Sequence, residues 1–447
     1  MPAHPLFRDV SKIYIKEVAD IKLSGKARAI LTEKNKVLLA EARIGKGYVF
    51  AIGDPWIYNE YIDHDRLPEG FMNRKAAENL VEMLIGNTGK PVIRREITKE
   101  QTLNEMILAN RYFIDKWPDV GKTIITDRER PSNIWTRGVY YEGLMSLYKI
   151  KPDPEYLNYA VSWGEFHKWG LRDGIQTRNA DNQCCGQTYI DLYLMDETKT
   201  ERIRDIKACI DNMLYTDKID DWNWIDALQM AMPVFARIGS IYKDDKYFNR
   251  MYEMYLYTKQ LHGSDGLYNT MDHLWWRDAD FDPPYKEPNG EDCYWSRGNG
   301  WVLAALVRTI DFLPADSPYK TEFLTVYREM VDALVACQRD DGFWNVSLHD
   351  DSNYGGKELT GTSLFVYGIA WGINNGILDR GRYEPIVKKS WRALVEDCVH
   401  PNGFLGYVQG TGKQPSDSQP VGYENVPNFE DFGLGCFLLA GSEMYKL

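Results

Sequence analysis

The chain is predicted to be mainly α, an (α/α)6 toroid preceded by a small N-terminal α/β unit, and three observations carry that prediction. Two kinds of helical segment alternate from about residue 100 onward, one amphipathic and one apolar on every face. An Asp/Asn-Gly turn recurs between them. Residues 1–90 show strand patterns and one helix instead, so the chain divides into an ancillary unit (1–90), a linker (91–100) and a helical domain (101–447).

In the N-terminal unit, stretches 13–18, 27–31, 37–42 and 48–52 read as short strands. Residues 43–47 form a glycine-containing turn, and 73–85 have helical spacing, with Ala76, Leu80, Met83 and Leu84 on one side. The stretch 45–56 and the helix 73–85 resemble the second half of the glutamine-amidotransferase-like domains that precede some bacterial polysaccharide hydrolases. The counterpart of their first half is missing, and no nucleophilic Cys or Ser elbow is present, so no catalysis is expected there.

In the helical domain the amphipathic segments are 102–117, 155–171, 201–214, 246–261, 321–337 and 384–399. In the fifth, Phe323, Val326, Tyr327, Met330 and Leu334 follow the i, i+3, i+4, i+7, i+11 series. The all-apolar segments are 137–150, 183–195, 225–242, 297–312, 361–373 and 432–445. Four turns recur before inner segments, at Asp173-Gly174, Asp265-Gly266, Asp341-Gly342 and Asn402-Gly403, where glycine supplies the positive φ that the turn needs. A helix pair repeated with the same turn chemistry is a degenerate internal repeat. An open solenoid would need a polar-faced end repeat, and 432–445 is as apolar as the central segments, so the ring is expected to close.

Composition bounds the function. Aromatic residues make up 13%, with 14 Trp and 29 Tyr, which suits a carbohydrate cleft. A net charge of −12 argues against a nucleic-acid partner and means that an acidic ligand needs a local cation. The seven Cys show no zinc spacing and read as free thiols. No secretory signal or membrane-length apolar run is present, which predicts a cytoplasmic, membrane-free protein for the chain as given, periplasmic if the N-terminus is trimmed. A monomer or weak dimer is expected.

Polar residues gather where apolar segments begin: Asp181, Trp224 with Asp226, Trp295 with Arg297 and Trp301, and Glu358. In an alternating toroid all inner helices start at one end, so these residues face one cleft. Asp226 lies between a Trp-rich stretch and a buried helix. Either it caps the backbone of that helix, or it is held near working pH as an acid. Arg297 is the natural receptor for a carboxylate, through its planar fork, unless it pairs with a core acid such as Asp292.

The series Trp224-x-Asp226-x-x-x-Met230, Gly266-Leu-Tyr, Trp295-x-Arg297-x-x-Gly-Trp301, with Asp181 and Thr360-Gly-Thr, resembles the unsaturated rhamnogalacturonyl and glucuronyl hydrolases, glycoside hydrolase family 105, with family 88 as a relative. The resemblance covers roughly residues 100–447. It implies the (α/α)6 fold, an unsaturated uronide oligosaccharide as substrate, and neither metal nor other cofactor. It implies that Asp226 is the general acid/base, that Asp181 holds sugar hydroxyls and tunes it, and that Trp224, Met230, Trp295, Arg297 and Trp301 line the cleft; Trp135 is a further substrate-binding candidate.

Where many members of the family carry His after Gly-Leu-Tyr, this chain has Asn269, a substrate-binding candidate expected to relax a rhamnose-linked preference. The implied reaction protonates C4 of a C4=C5 double bond and adds water at C5. An ordinary inverting glycosidase using Asp181 and Asp226 is an alternative. So are a sugar epimerase and a glycan-binding toroid.

Overall fold

The structure, a computed structural model, describes residues 4–16, 19–44, 47–54, 62, 67–85 and 96–447. The chain forms two compact units, Met1–Arg95 and Glu96–Leu447.

In the first unit, β1 (Arg28–Glu33), β2 (Lys36–Ile44) and β3 (Gly47–Ile52) form one antiparallel sheet in that order. Lys34 and Asn35, both at positive φ, make the β1–β2 turn. Helix α1 (Asn73–Ile85) has the predicted bounds, and its Ala76 and Leu80 share a small core with Leu6, Phe7, Val10, Ile30, Leu38 and Leu39.

Two expectations are corrected. The described part of 13–18 is not a strand, because the amide of Asn73 satisfies its backbone: Tyr14 N–H donates to Asn73 Oδ1 (2.7 Å) and Asn73 Nδ2 to the Tyr14 carbonyl (2.9 Å). The predicted turn 43–47 is shorter, since Arg43 and Ile44 pair with Tyr48 and Gly47 inside the hairpin. Its residues 45–46, and residues 91–95 of the predicted linker 91–100, lie outside the described residues, and the last two linker positions, Lys99 and Glu100, belong to the first helix of the second unit.

The second unit is a double ring of helices. These are α2 (Lys99–Lys116), α3 (Trp135–Ile150), α4 (Pro154–Phe166), α5 (Ala180–Gln183), α6 (Cys185–Met195), α7 (Glu201–Leu214), α8 (Asp226–Tyr242), α9 (Asp245–Leu256), α10 (Ser296–Ile310), α11 (Lys320–Ala336), α12 (Leu359–Asn374), α13 (Arg380–Cys398) and α14 (Asp431–Lys446). Helices α3, α5–α6, α8, α10, α12 and α14 pack in sequence as the inner ring, and α14 returns to α3 to close it. Their all-apolar composition follows, since each touches inner neighbours on both sides and an outer helix behind. Every residue of α12 from Leu359 to Ile373 is buried.

The outer helices α4, α7, α9, α11 and α13 each back the inner helix before them, and α2 backs α14. The four predicted turns hold: Gly174, Gly266, Gly342 and Gly403 all have positive φ. At Gly403 a Cβ would fall 2.4 Å from the Leu108 carbonyl oxygen, so the turn also needs the missing side chain for close approach. Among the described residues, no helix is long and apolar enough to cross a membrane.

Two short hairpins decorate the ring, β4 (Ile124–Ile125) with β5 (Glu129–Arg130) and β6 (Tyr268–Asn269) with β7 (Leu274–Trp275). More important for the site, the entry to an inner helix is stitched to the loop before the next one. Trp224 bridges to Asp278 and Ile225 N–H donates to the Arg277 carbonyl (3.0 Å). Trp295 bridges to Ser347, and Leu359 N–H donates to the Tyr407 carbonyl (2.8 Å). These backbone bonds fix the loops around one mouth of the ring.

Candidate active site

Asp226 is the first residue of α8, and it caps nothing. Its Oδ2 accepts from Arg277 Nη2 at 3.2 Å, and its Oδ1 is buried without a hydrogen-bond partner. The capping explanation therefore fails for this residue, although it holds for Glu358, whose carboxylate accepts from the N–H groups of Thr360 and Gly361 at the start of α12. Asp226 is 9% exposed. Gly298 of α10 lies beside it, and a Cβ there would press on Ile225 and Trp295, each at 3.1 Å. Burial pushes the Asp226 carboxyl above the usual range, and Arg277 pulls in the opposite direction.

Asp181 lies in α5, which starts under an Asn179 cap (Asp181 N–H to Asn179 Oδ1, 2.8 Å). Its carboxyl is pushed up to about 7, first by burial and then by the neighbouring charge of Asp226, with Arg277 and Arg172 opposing. Asp181, raised in the field of Asp226, retains a proton toward neutrality. The structure thus brings the two predicted carboxylates together at the mouth, with the charge of Arg277 opposing the upward shift at both.

Arg277 escaped the sequence reading. It falls between the β6–β7 hairpin and α10, in a stretch without helical periodicity, and the Trp224–Asp278 bridge together with the Ile225–Arg277 backbone bond carries it to Asp226. Its Nη1 contacts Asp278 Oδ2 at 2.5 Å, which makes Asp278, an acid, the second overlooked residue at the mouth. The available signal was the run Trp275-Trp276-Arg277-Asp278, aromatic and then charged.

Several expected cleft residues stand elsewhere. Arg297 is 1% exposed and donates from Nη1 to the Gln409 carbonyl (2.6 Å) and from Nη2 to the Gly410 carbonyl (2.7 Å), stacked between Trp295 and Phe432. Its fork holds backbone where a free carboxylate was expected, and Asp292 pairs with Lys286 instead. Met230, Trp295 and Trp301, each 1% exposed, back the mouth without offering it an open face, because inner helices are buried all round. Trp295 Nε1 donates to Gln409 Oε1 (3.0 Å).

Trp135 and Trp224 are only half-buried and keep accessible ring surface. Trp135 packs edge-on to Trp301, at 6.2 Å between centroids. Asn269 is consumed by its own loop: Oδ1 accepts from Met271 N–H (2.8 Å), and Nδ2 donates to Tyr294 Oη (2.7 Å) and Asp272 Oδ2 (3.2 Å). That is an Asx turn closing the β6–β7 hairpin.

Comparison with known proteins matches this architecture. The model of glycosyl hydrolase family 88 fits residues 108–447. The chain is 32% identical over 334 residues to an unsaturated 3S-rhamnoglycuronyl hydrolase of Formosa agariphila, covering 70% of this chain and 84% of that protein. It is 36% identical over 223 residues to a protein of the same description from Alteromonas sp., covering 50% and 51%. Among solved structures, a glycosyl hydrolase family 88 protein from Bacteroides vulgatus superposes with a TM-score of 0.70 at 31% identity, covering 78% of this chain and 99% of that one. A family 105 glycoside hydrolase from C. acetobutylicum shares the fold, with a TM-score of 0.60 at 20% identity over 76% of this chain and 99% of that one.

Proposed function

Since the chain belongs to glycosyl hydrolase family 88, we propose that it removes a 4,5-unsaturated uronic acid from the non-reducing end of oligosaccharides made by polysaccharide lyases. The observation that carries this reading is Asp226, a buried carboxylate at a helix start that caps no backbone and has a second raised carboxyl, Asp181, in its field.

In this reading Asp226, protonated, delivers its proton to C4. As carboxylate it then takes a proton from the water that adds at C5. The hemiketal opens and the aglycone leaves. One residue serves both steps because they occur in sequence. Asp181 holds sugar hydroxyls and keeps the pair's proton available. Trp135 and Trp224 supply the accessible ring faces for a sugar. The names of the two curated relatives make a rhamnose-linked unsaturated glycuronyl unit the first substrate to offer. Asn269 gives no ground for an aglycone preference, because its amide is spent within its hairpin.

The test is the ultraviolet absorbance of the conjugated double bond. Incubated with an unsaturated disaccharide from an ulvan or pectin lyase, without added metal, the protein abolishes it. Asp226→Asn keeps the circular-dichroism spectrum and loses about 10²–10⁴ in rate. Equal turnover of a saturated uronide would instead favour an ordinary inverting glycosidase.

A further inference from the structure

The proposed substrate carries a carboxylate into a mouth that already holds Asp181, Asp226 and Asp278, so a cation must meet it. Arg297 is committed to two backbone carbonyls. Arg137 is paired with Asp431 at 3.1 Å and Lys357 with Asp397 at 3.2 Å. Arg277 differs from all three. Its side chain touches Asp226 directly and is 18% exposed, against 2% for that of Arg137. Its two anchors are unequal: 2.5 Å to Asp278, itself fixed by the backbone bridge to Trp224, and 3.2 Å to Asp226. The looser arm is the one that can be given up.

Resting on the reading above, we infer that Arg277 receives the uronate carboxylate, and that its Nη2 leaves Asp226 to do so, whereupon Asp226 takes up one proton from solvent. The groups facing Asp226 make that uptake necessary. Besides Arg277 they are Asp181 from α5, Asp278 from the adjoining loop, and Arg297 from α10, whose charge is shared with Glu358. Once Arg277 turns to the substrate, the remaining contacts are chiefly acidic and the site is buried, so the neutral form of Asp226 prevails. The protons balance. One is gained on binding and passes to C4, the attacking water returns one as its hydroxyl adds at C5, and that one is released when product leaves and Arg277 swings back. The acid is thereby loaded only when the mouth is occupied by an anion.

The experiment is calorimetric titration of the full-length protein with D-glucuronate, a saturated probe that is not turned over, at pH 7 in two buffers of different ionisation enthalpy. The parent is expected to bind with net uptake approaching one proton. Asp226→Asn should bind without uptake. Arg277→Gln should bind about 10–100-fold more weakly, the loss of a charge-assisted contact, and without uptake. Arg277→Lys, which keeps a charge at the position, should also bind more weakly, and serves if the Gln variant does not fold. Binding by the parent without uptake, or no binding, overturns the inference. So does unchanged affinity in Arg277→Gln together with lost affinity in Arg172→Gln, which would make Arg172, the other cation near Asp181, the receptor. Whether the parent consumes the unsaturated disaccharide is measured separately, so failure of the reaction and failure of this proton coupling are told apart.

Discussion

Gly435 of α14 rests on the carbonyl oxygen of Val139 in α3, so closely that a Cβ built on Gly435 would lie 2.3 Å from that oxygen. Opposite it, a Cβ on Gly143 would lie 2.6 Å from the Gly435 carbonyl oxygen. Two glycines thus let the last inner helix touch the first. Backbone cannot yield as a flexible side chain can, so Gly435→Ala should force the helices apart. The expected cost is about 1–3 kcal/mol, read as a lower Tm in a thermal melt, with the proposed activity per folded molecule largely retained.

Asp181 gives stability a pH dependence of definite sign. Its folded pKa of about 7 lies above the ordinary carboxyl value of 3.8. The native state therefore binds more protons than the unfolded chain across that window, and stability is lost as pH rises through about 7. Asp181→Asn, neutral throughout, should melt higher than the parent at pH 8, and the advantage should vanish near pH 4. A variant less stable than the parent at pH 8 would show that the ionised carboxylate makes favourable contacts. The same variant should lose activity, since the proposed tuning of Asp226 goes with it.

Arg297→Lys is expected to act through the backbone. A lysine cannot serve the Gln409 and Gly410 carbonyls with the same planar fork, and its charge stays buried. Loss of one such bond costs about 1.5–3 kcal/mol. The stretch after Gly410 is also held by Gln409 Nε2, which donates to the Asp417 carbonyl (2.8 Å), by Tyr407 N–H, which donates to the Gly422 carbonyl (2.9 Å), and by an exposed Lys413–Asp280 pair (2.7 Å) worth little. Limited proteolysis should cut this variant within 410–428 faster than the parent. An unchanged cutting pattern with raised KM would return Arg297 to the role of carboxylate receptor.

Asn269→Ala removes the Asx turn of the β6–β7 hairpin. The expected loss is about 0.5–1.5 kcal/mol per hydrogen bond, seen as a lower Tm. The pH profile and the ranking of aglycones should stay as in the parent. A changed ranking would mean that the amide reaches substrate despite its bonds to Tyr294 and Met271.

The sequence disclosed the ring because burial on all sides leaves a plain mark: helices such as 361–373 have no polar stripe, and their neighbours do. The start of an inner helix likewise told where Asp181 and Asp226 would meet. What it could not disclose was which way a conspicuous residue faces. Trp301 and Met230 have the chemistry of a sugar platform, yet they sit on helices enclosed on every side. Arg277 has no periodic context, and its place depends on a backbone pairing between segments about fifty residues apart. Arg297 was noticed for its fork, but the carbonyls that fill it come from Gln409 and Gly410, which nothing local to Arg297 announces.

The closure of the ring also has a consequence for biosynthesis. Thr136 and Asp431 share a hydrogen bond (3.2 Å) across 295 positions of sequence, and α14 packs on both α3 and α2. At about 5–20 residues per second, a ribosome exposes the apolar flank of α3 for roughly 15–60 s before its partner emerges. Through that interval the nascent chain is an open arc with an unpaired greasy edge at each end. Holdase chaperones would find their target there, and a ribosome that stalls shortly before residue 431 would release an arc unable to shut.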